Sequence, residues 1–295
     1  MPPADAGIVI ATRDRRAALL ATLGRLRALP ERPRVVVVDN GSRDGTPDAV
    51  RAASGDVTVI EAGENLGAGA RTLGARALDT RYVAFNDDDS WWAPGALARA
   101  VALLDAHPRL ALLAARVLVG GDQRLDPTCA AMAASPLPVH GDTPGPRVLG
   151  FVACGAVVRR AAFLGVGGFD ARYGIGGEEQ RLAFDLAAAG WELAYAADVV
   201  AHHHPDAVGA RAGRRRRQLR NDLWSAWLRR PVLSALRATA GAARATARED
   251  PSAALRGVAD ALAGAPWVAR ERRVVPAGVE QAIRTLESTQ RGCRV

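Results

Sequence analysis

The chain contains no lysine: its 39 basic residues are all arginine. A P-loop needs a lysine on its phosphates, a pyridoxal enzyme needs one for its Schiff base, and a protein kinase needs one on a strand. All three are excluded. High alanine and glycine accompany the all-arginine usage, which fits a GC-rich coding bias, so a guanidinium is not by itself a signal. Long apolar runs are absent too. The longest candidate, V-L-G-F-V-A-C-G-A-V-V, falls well short of the roughly 18 to 20 residues of a membrane span. The N-terminus M-P-P-A-D-A-G has neither a basic nor an apolar signal region, which reads as no signal peptide. Cysteine is scarce: Cys129, Cys154 and Cys293 are scattered, form no CxxC pair and suggest no disulfide framework, as expected in a reducing cytosol.

What is present fits a globular enzyme. The 295 residues are enough for one large domain plus an extension, and 49% are hydrophobic. Charge divides the chain. Residues 1–210 hold 21 arginines against 24 acidic residues, net −3; residues 211–295 hold 18 against 7, net +11. The seam lies near H-H-H-P-D-A-V-G-A-R, and the expectation is a near-neutral catalytic domain over 1–210 followed by an arginine-rich helical extension over 211–295.

Strand-like and helix-like stretches alternate through the first part. G-I-V-I-A-T (7–12), R-V-V-V-V-D (34–39), V-T-V-I (57–60) and R-Y-V-A-F (81–85) read as strands, the second buried on both faces. Helical spacing is predicted over 15–29, from Thr46 (a cap, with proline at the first position), over 67–78 and over 94–106. That order is a mostly parallel open sheet with crossover helices. From about Ala111 the pattern is less regular: 120–147 reads as a loop or lid, 151–160 as a strand, 178–189 as a helix, and 193–196 and 198–201 as two short strands.

In such sheets ligands sit beyond the carboxyl ends of the strands. Those ends are polar here: Thr12-Arg13-Asp14, Asp39-Asn40-Gly41-Ser42, Glu64-Asn65 and Asp87-Asp88-Asp89. A lone triple aspartate is usually a solvated turn or helix cap. At the end of a buried strand, on an edge shared with three other polar ends, it suits a hard divalent cation, Mn2+ or Mg2+.

In order, V-I-A-T-R-D-R, V-V-V-V-D-N-G-S-R-D-G-T, E-N-L-G-A-G-A-R-T-L-G, Y-V-A-F-N-D-D-D, G-G-F-D…G-G-E-E-Q-R-L and V-V-A-H-H-H resemble the inverting nucleotide-sugar glycosyltransferases of family 2, over about residues 7–204. The resemblance implies a GT-A fold, with a nucleotide-binding half over 1–118 and an acceptor half over 119–210. It places Thr12, Asp14 and Asp39 on the base and ribose, and Asn65 and Arg71 near the diphosphate. Asp87 and Asp88 contact the donor, and Asp87 and Asp89 hold the metal with His202. Glu178 or Glu179 is the general base. The family commonly has aspartate where Glu179 stands and asparagine where Thr72 stands, so both glutamates remain candidates. The chemistry needs these groups. A departing nucleoside diphosphate builds negative charge that a metal stabilises, and the attacking hydroxyl must lose a proton to a carboxylate across the sugar. A single in-line displacement inverts the anomeric carbon.

The implied donor is a UDP- or dTDP-sugar, or a GDP-sugar, and the acceptor a hydroxyl, lipid-linked or on a small aglycone. A cytoplasmic enzyme is expected, free or peripheral at the inner membrane face. Several features stay open. Trp91 and Trp92 either stack on a sugar or cover the sheet edge. G-A-G-A-R-T-L-G lacks the third glycine of a dinucleotide fingerprint, at Thr72. A sugar nucleotidyltransferase normally needs an active-site lysine. Trp224 and Trp227 share a face with Leu223 and Leu228, so 211–230 is a packed helix, a membrane-surface helix or, least of all, a nucleic-acid patch. The rival from another class is a catalytically silent protein of the same fold whose basic tail binds an anionic membrane or nucleic acid.

Overall fold

A computed structural model describes residues 5–139, 143–205 and 213–292. Its first part runs β1 (Ala6–Thr12), α1 (Arg16–Arg27), β2 (Val35–Asp39), α2 (Thr46–Ala53), β3 (Thr58–Glu61), α3 (Gly69–Ala77), β4 (Tyr82–Asn86), β5 (Ser90–Trp92) and α4 (Ala96–Ala106). Then come β6 (Leu110–Val119), β7 (Arg124–Leu125), α5 (Pro127–Ala133), β8 (Ala156–Arg159), α6 (Arg160–Gly165), α7 (Glu178–Ala188) and β9 (Glu192–His203). Five helices follow: α8 (Arg214–Arg229), α9 (Val232–Glu249), α10 (Pro251–Ala263), α11 (Ala265–Glu271) and α12 (Ala277–Gly292).

The strands form one sheet in the order β3-β2-β1-β4-β8-β6-β9-β5, with β7 added beside β6. β3, β2, β1 and β4 are mutually parallel, and β8 enters antiparallel between β4 and β6. Continuous apolar strands need cover on both faces, and β2 and β4 are buried at every position. The parallel arrangement aligns the carboxyl ends of β1, β2 and β4, where the register sets Thr12 beside Asp39 and Ile10 beside Asn86.

Several sequence expectations shift. Residues 120–147 are not one open loop. Asp126 caps α5 by accepting from Thr128 N at 2.7 Å, and Cys129 and Met132 are buried; residues 140–142 lie outside the described residues. The two short strands at 193–201 are a single strand, β9, which accommodates the interruption with a register shift against β6. The start of the 151–160 run is a tight helical turn before β8. Gly45, not Thr46, caps α2, and Asp44 accepts from both Thr46 N and its hydroxyl.

The arginine-rich extension is built into the body. A second apolar core joins Tyr173 to Leu219, Leu223, Trp224 and Leu228 of α8 and to α10 and α11; a third joins Phe184 to Val275 and Ile283. Trp224 donates to Ala261 O at 3.1 Å and packs edge-on against Tyr173 and Trp267. The apolar face of 214–229 is therefore internal. Of the three readings offered for 211–230, this packing fits the packed helix: Leu223, Trp224 and Leu228 already cover protein. The seam from residue 206 onward and Cys293 lie outside the described residues. No described helix is long and apolar enough to cross a membrane.

Candidate active site

The triple aspartate sits in a tight turn between β4 and β5. Asn86, wholly buried, anchors it: Nδ2 donates to Ser90 O at 2.8 Å, and Oδ1 accepts from Trp92 Nε1 at 2.6 Å. Asp87 N donates to Ser90 Oγ at 2.8 Å. Trp92 thus buttresses the turn from the core, while Trp91 has the Arg25 guanidinium 3.6 Å from a ring centroid and stacks with His202. Both tryptophans have protein partners.

Repulsion among the three carboxylates is relieved by protein cations. Arg15 Nε lies 3.2 Å from Asp88 Oδ1 and its Nη2 lies 3.0 Å from Asp89 Oδ2. Arg71, 7% exposed, pairs through Nη2 with Asp87 Oδ1. Asp88 also accepts from Thr12 Oγ1 at 2.8 Å, and its backbone carbonyl accepts from Thr22 Oγ1 at 2.8 Å. Burial, with the charges of Asp89 and Asp87, raises the Asp88 pKa despite the Thr12 bond and Arg15. Asp88 is thereby tied inward to β1 and α1.

The polar end of β9 closes the turn from the other side. Ser90 pairs with His203 and Trp91 with His202. Successive strand residues face opposite ways, so only one of these two histidines reaches the aspartates. It is His203, whose Nε2 lies 3.3 Å from Asp89 Oδ1. Burial alone would lower its pKa, but the Asp89 bond and the Asp87 and Asp89 charges outweigh it and raise it. His202, assigned to the metal from the sequence, instead stacks on Trp91. That is a correction, and the strand alternation is its reason.

Asp87, His203 and Cys154 can bring one ligand atom each within 4.8 Å of one another. Burial drives the Cys154 pKa well up, so it is a neutral thiol and a poor ligand for a hard cation. The remaining donors, with Asp89, are carboxylate oxygens and one imidazole nitrogen. That set fits Mn2+ well and Mg2+ acceptably.

A second group of predicted residues lines a cleft of about 400 Å³ at the end of β2, bordered by Arg13, Asp39, Ser42, Glu64 and Asn65. Asp39, 2% exposed, accepts from Gly41 N at 3.1 Å and Ser42 N at 2.9 Å through Oδ2, and its Oδ1 has no hydrogen-bond partner among the described residues. A buried carboxylate oxygen left unpaired is costly, and a ribose hydroxyl or a base N–H would satisfy it. Asp14, at φ +53, locks its loop to the next one, accepting from Arg43 N at 2.7 Å and donating its own N–H to Ser42 Oγ at 2.8 Å. Asn65 is exposed and accepts from Gly67 N at 3.0 Å, while Asn40 ties the segment down by donating to Gly67 O and accepting from Leu66 N.

The glutamates arrive at the start of α7. Ala68 N donates to Gly174 O at 2.8 Å, drawing the 173–177 loop onto the start of α3. Glu178, 4% exposed, accepts from Gly176 N. Glu179 is half-buried. Burial raises the pKa of both, and for Glu179 the neighbouring Glu178 charge is the next cause. Arg71 feels Asp87, Glu178 and Glu179 together, and they hold its pKa up against burial. Arg71 thus pairs with the aspartate turn and also feels the glutamate pair, and its buried Nε has no hydrogen-bond partner among the described residues. Arg15, Thr22, Asn40, Asn86 and His203 all help build the site; all but Thr22 stand inside the motifs read from the sequence, which gave none of the five a role.

A family model described as glycosyl transferase family 2 matches residues 7–166. The chain belongs to that family. It is a glycosyltransferase with a GT-A fold. Among curated proteins, an N-acetylglucosaminyl-diphospho-decaprenol L-rhamnosyltransferase of Mycobacterium tuberculosis is 31% identical over 222 residues, covering 62% of this chain and 70% of the relative. Among solved structures, the mannosyltransferase PcManGT of Pyrobaculum calidifontis, in complex with GDP-Man and Mn2+, is similar with TM-score 0.59 and 21% identity, covering 97% of this chain and 86% of that one. S. aureus TarS 1–349 in complex with UDP-GlcNAc is similar with TM-score 0.59 and 15% identity, covering 82% and 70%. This glycosyltransferase therefore shares its fold with enzymes solved holding nucleotide sugars.

Proposed function

We propose that this family 2 glycosyltransferase is inverting and uses a divalent cation, moving a sugar from a UDP-, dTDP- or GDP-sugar to an acceptor hydroxyl. The observation that carries the reading is the Arg71–Asp87 ion pair, on whose guanidinium the charges of Glu178 and Glu179 also act, so that both carboxylate groups belong to one site. A leaving diphosphate and an attacking hydroxyl need those two groups on opposite sides of one sugar.

Asp87, Asp89 and His203 would hold Mn2+ or Mg2+, which would stabilise charge on the leaving diphosphate. Arg15 and Arg71 pair with Asp89 and Asp87 and orient them, and Arg71 adds a cation beside the same oxygens. Asp39 takes the ribose or base through its unpaired oxygen, and Thr12 fixes Asp88 by donating its hydroxyl. Glu179, or Glu178 beside it, accepts the proton of the attacking hydroxyl; its raised pKa makes it a stronger base. The decaprenol-linked acceptor named for the mycobacterial relative makes a lipid diphosphate-linked sugar the first acceptor to try.

The test is thermal stability of wild type and Asp89→Ala with UDP, dTDP, GDP and CDP, each with and without Mn2+. A ligand at 100 times its Kd adds about 2.7 kcal/mol. One nucleotide that stabilises only with metal and only in wild type supports the reading; no stabilisation in either protein rejects it. The rival tail-binding reading predicts ligand behaviour indifferent to Asp89→Ala and steeply salt-dependent. It is weakened by internal pairing of tail arginines, such as Arg216 with Asp260, Arg229 with Asp185 and Arg230 with Glu280.

A further inference from the structure

Helix α8 belongs to the stretch that reads from sequence as a basic extension, yet one of its faces is built into the loop that presents the glutamate pair. Ser225 Oγ lies 3.0 Å from Tyr173 Oη. Gln218 and Asp222 stand so close to the loop that a Cβ on Gly176 would lie 2.7 Å from Gln218 Oε1, and one on Gly177 would lie 3.5 Å from Asp222 Oδ1. Between them is Asn221, with no exposed surface. Its Nδ2 donates to Tyr173 O at 2.9 Å and to Gly176 O, and its Oδ1 accepts from Arg220 Nε at 2.9 Å. Arg220 Nη2 adds a bond to Tyr173 O at 2.8 Å.

The loop cannot hold this shape unaided. Gly174, Gly176 and Gly177 all have positive φ, at +67°, +109° and +83°, and glycine backbone is the least self-supporting. The buried carbonyls need donors. One amide serving both Tyr173 O and Gly176 O fixes the two ends of the turn against each other. The same peptide segment then acts on the carboxylate, because Gly176 N donates to Glu178 Oε2. A continuous path runs from Asn221 Nδ2 through the Gly176 backbone to the glutamate pair.

We propose that Asn221 is a positioning residue for the Glu178–Glu179 pair, clamping the 173–177 loop to α8 so that the acceptor-activating carboxylate stands where the hydroxyl arrives. Helix α8 is then part of the catalytic apparatus. The proposal rests on the reading of that pair as the general base.

The test uses the full chain with Asn221→Ala, Asn221→Asp and Asn221→Ser, alongside Glu178→Gln and Glu179→Gln. Asn221→Asp keeps the shape but turns an acceptor toward two carbonyls; Asn221→Ser keeps one donor and gives a reading if the alanine variant does not fold. Hydrogen exchange is followed at 173–179 and, as an internal control, at 7–12 and 82–86. Release of nucleoside diphosphate from UDP-, dTDP- and GDP-sugars gives kcat and donor KM. The alanine and aspartate variants are expected to exchange about tenfold faster at 173–179 with the control strands unchanged. A misplaced catalytic group costs up to about a hundredfold, so kcat should fall at least about tenfold while donor KM stays within about twofold, with serine in between. Unchanged exchange at 173–179 overturns the clamp. Faster exchange with unchanged kcat, or a joint loss of kcat and donor affinity, overturns the positioning role. Wild-type turnover in both glutamine variants overturns the base assignment instead, and leaves the exchange result standing on its own.

Discussion

His203 Nε2 lies 3.3 Å from Asp89 Oδ1, while the adjacent His202 lies flat against Trp91, ring centroids 5.5 Å apart. The antiparallel pairing of β5 with β9 places Ser90 opposite His203. A slip of one residue would exchange the two imidazoles, so the register chooses the one that faces the aspartates.

His203→Ala is expected to weaken Mn2+-dependent nucleotide binding about 10- to 100-fold, on the scale known for groups that support a metal. His202→Ala should disturb the Trp91 stack and leave metal dependence near wild type. Mn2+ titrations of the nucleotide complex by calorimetry distinguish them. Equal losses in the two variants would contradict the assignment.

Replacing the general base should cut kcat about 10²- to 10⁴-fold with donor affinity retained. Glu178→Gln and Glu179→Gln, measured side by side, show which carboxylate does this. Because burial raises both pKa values, the rising limb of the wild-type kcat profile should lie above the ordinary glutamate value of 4.5.

The same shift has a stability signature of fixed sign. Folding favours the protonated form of Glu179, so its contribution is complete below the unfolded pKa and is lost as pH rises through the folded one. Glu179→Gln should therefore gain stability relative to wild type between about pH 5 and about pH 9, read as a shift in the urea midpoint. A difference that does not change with pH would count against a raised pKa.

Asp39→Asn removes the charge from two backbone N–H contacts and from the unpaired oxygen in the cleft. Binding of the intact nucleotide should weaken by about 1–3 kcal/mol, and binding of Mn2+ with pyrophosphate alone should not change. Calorimetry with both ligands decides it; a loss for pyrophosphate as well would move Asp39 out of the base and ribose pocket.

Trp224→Ala should destabilise the whole chain by about 3–5 kcal/mol, because the indole fills the core between Tyr173 and Trp267. Denaturant unfolding measures this. A variant as stable as wild type but poorer at binding anionic vesicles would restore the membrane-surface reading of this helix.

Much of the first four strands and their helices was legible in the chain. Val35–Asp39 and Tyr82–Asn86 are short apolar runs ending in polar residues, and local pattern alone marks such strands and their ligand-facing ends. The cleft around Asp39 and the aspartate turn follow from that order. The second half was less readable. β6 and β9 pair with neighbours distant in sequence and carry a register shift, and residues 127–133 form a helix held by one aspartate cap.

What the sequence determined by itself was the set of strand ends, the absence of lysine chemistry and the two carboxylate groups. Each is written in consecutive residues. Tertiary structure decided which histidine meets Asp89, which arginines neutralise Asp87, Asp88 and Asp89, and what the arginine-rich extension does. Those outcomes depend on pairings between segments far apart in the chain: Arg15 with Asp88, Arg71 with Asp87, Asn221 with Tyr173. Hydrophobic periodicity shows that α8 has an apolar face but not what that face covers. Only the fold brings it against the loop that carries Glu178 and Glu179.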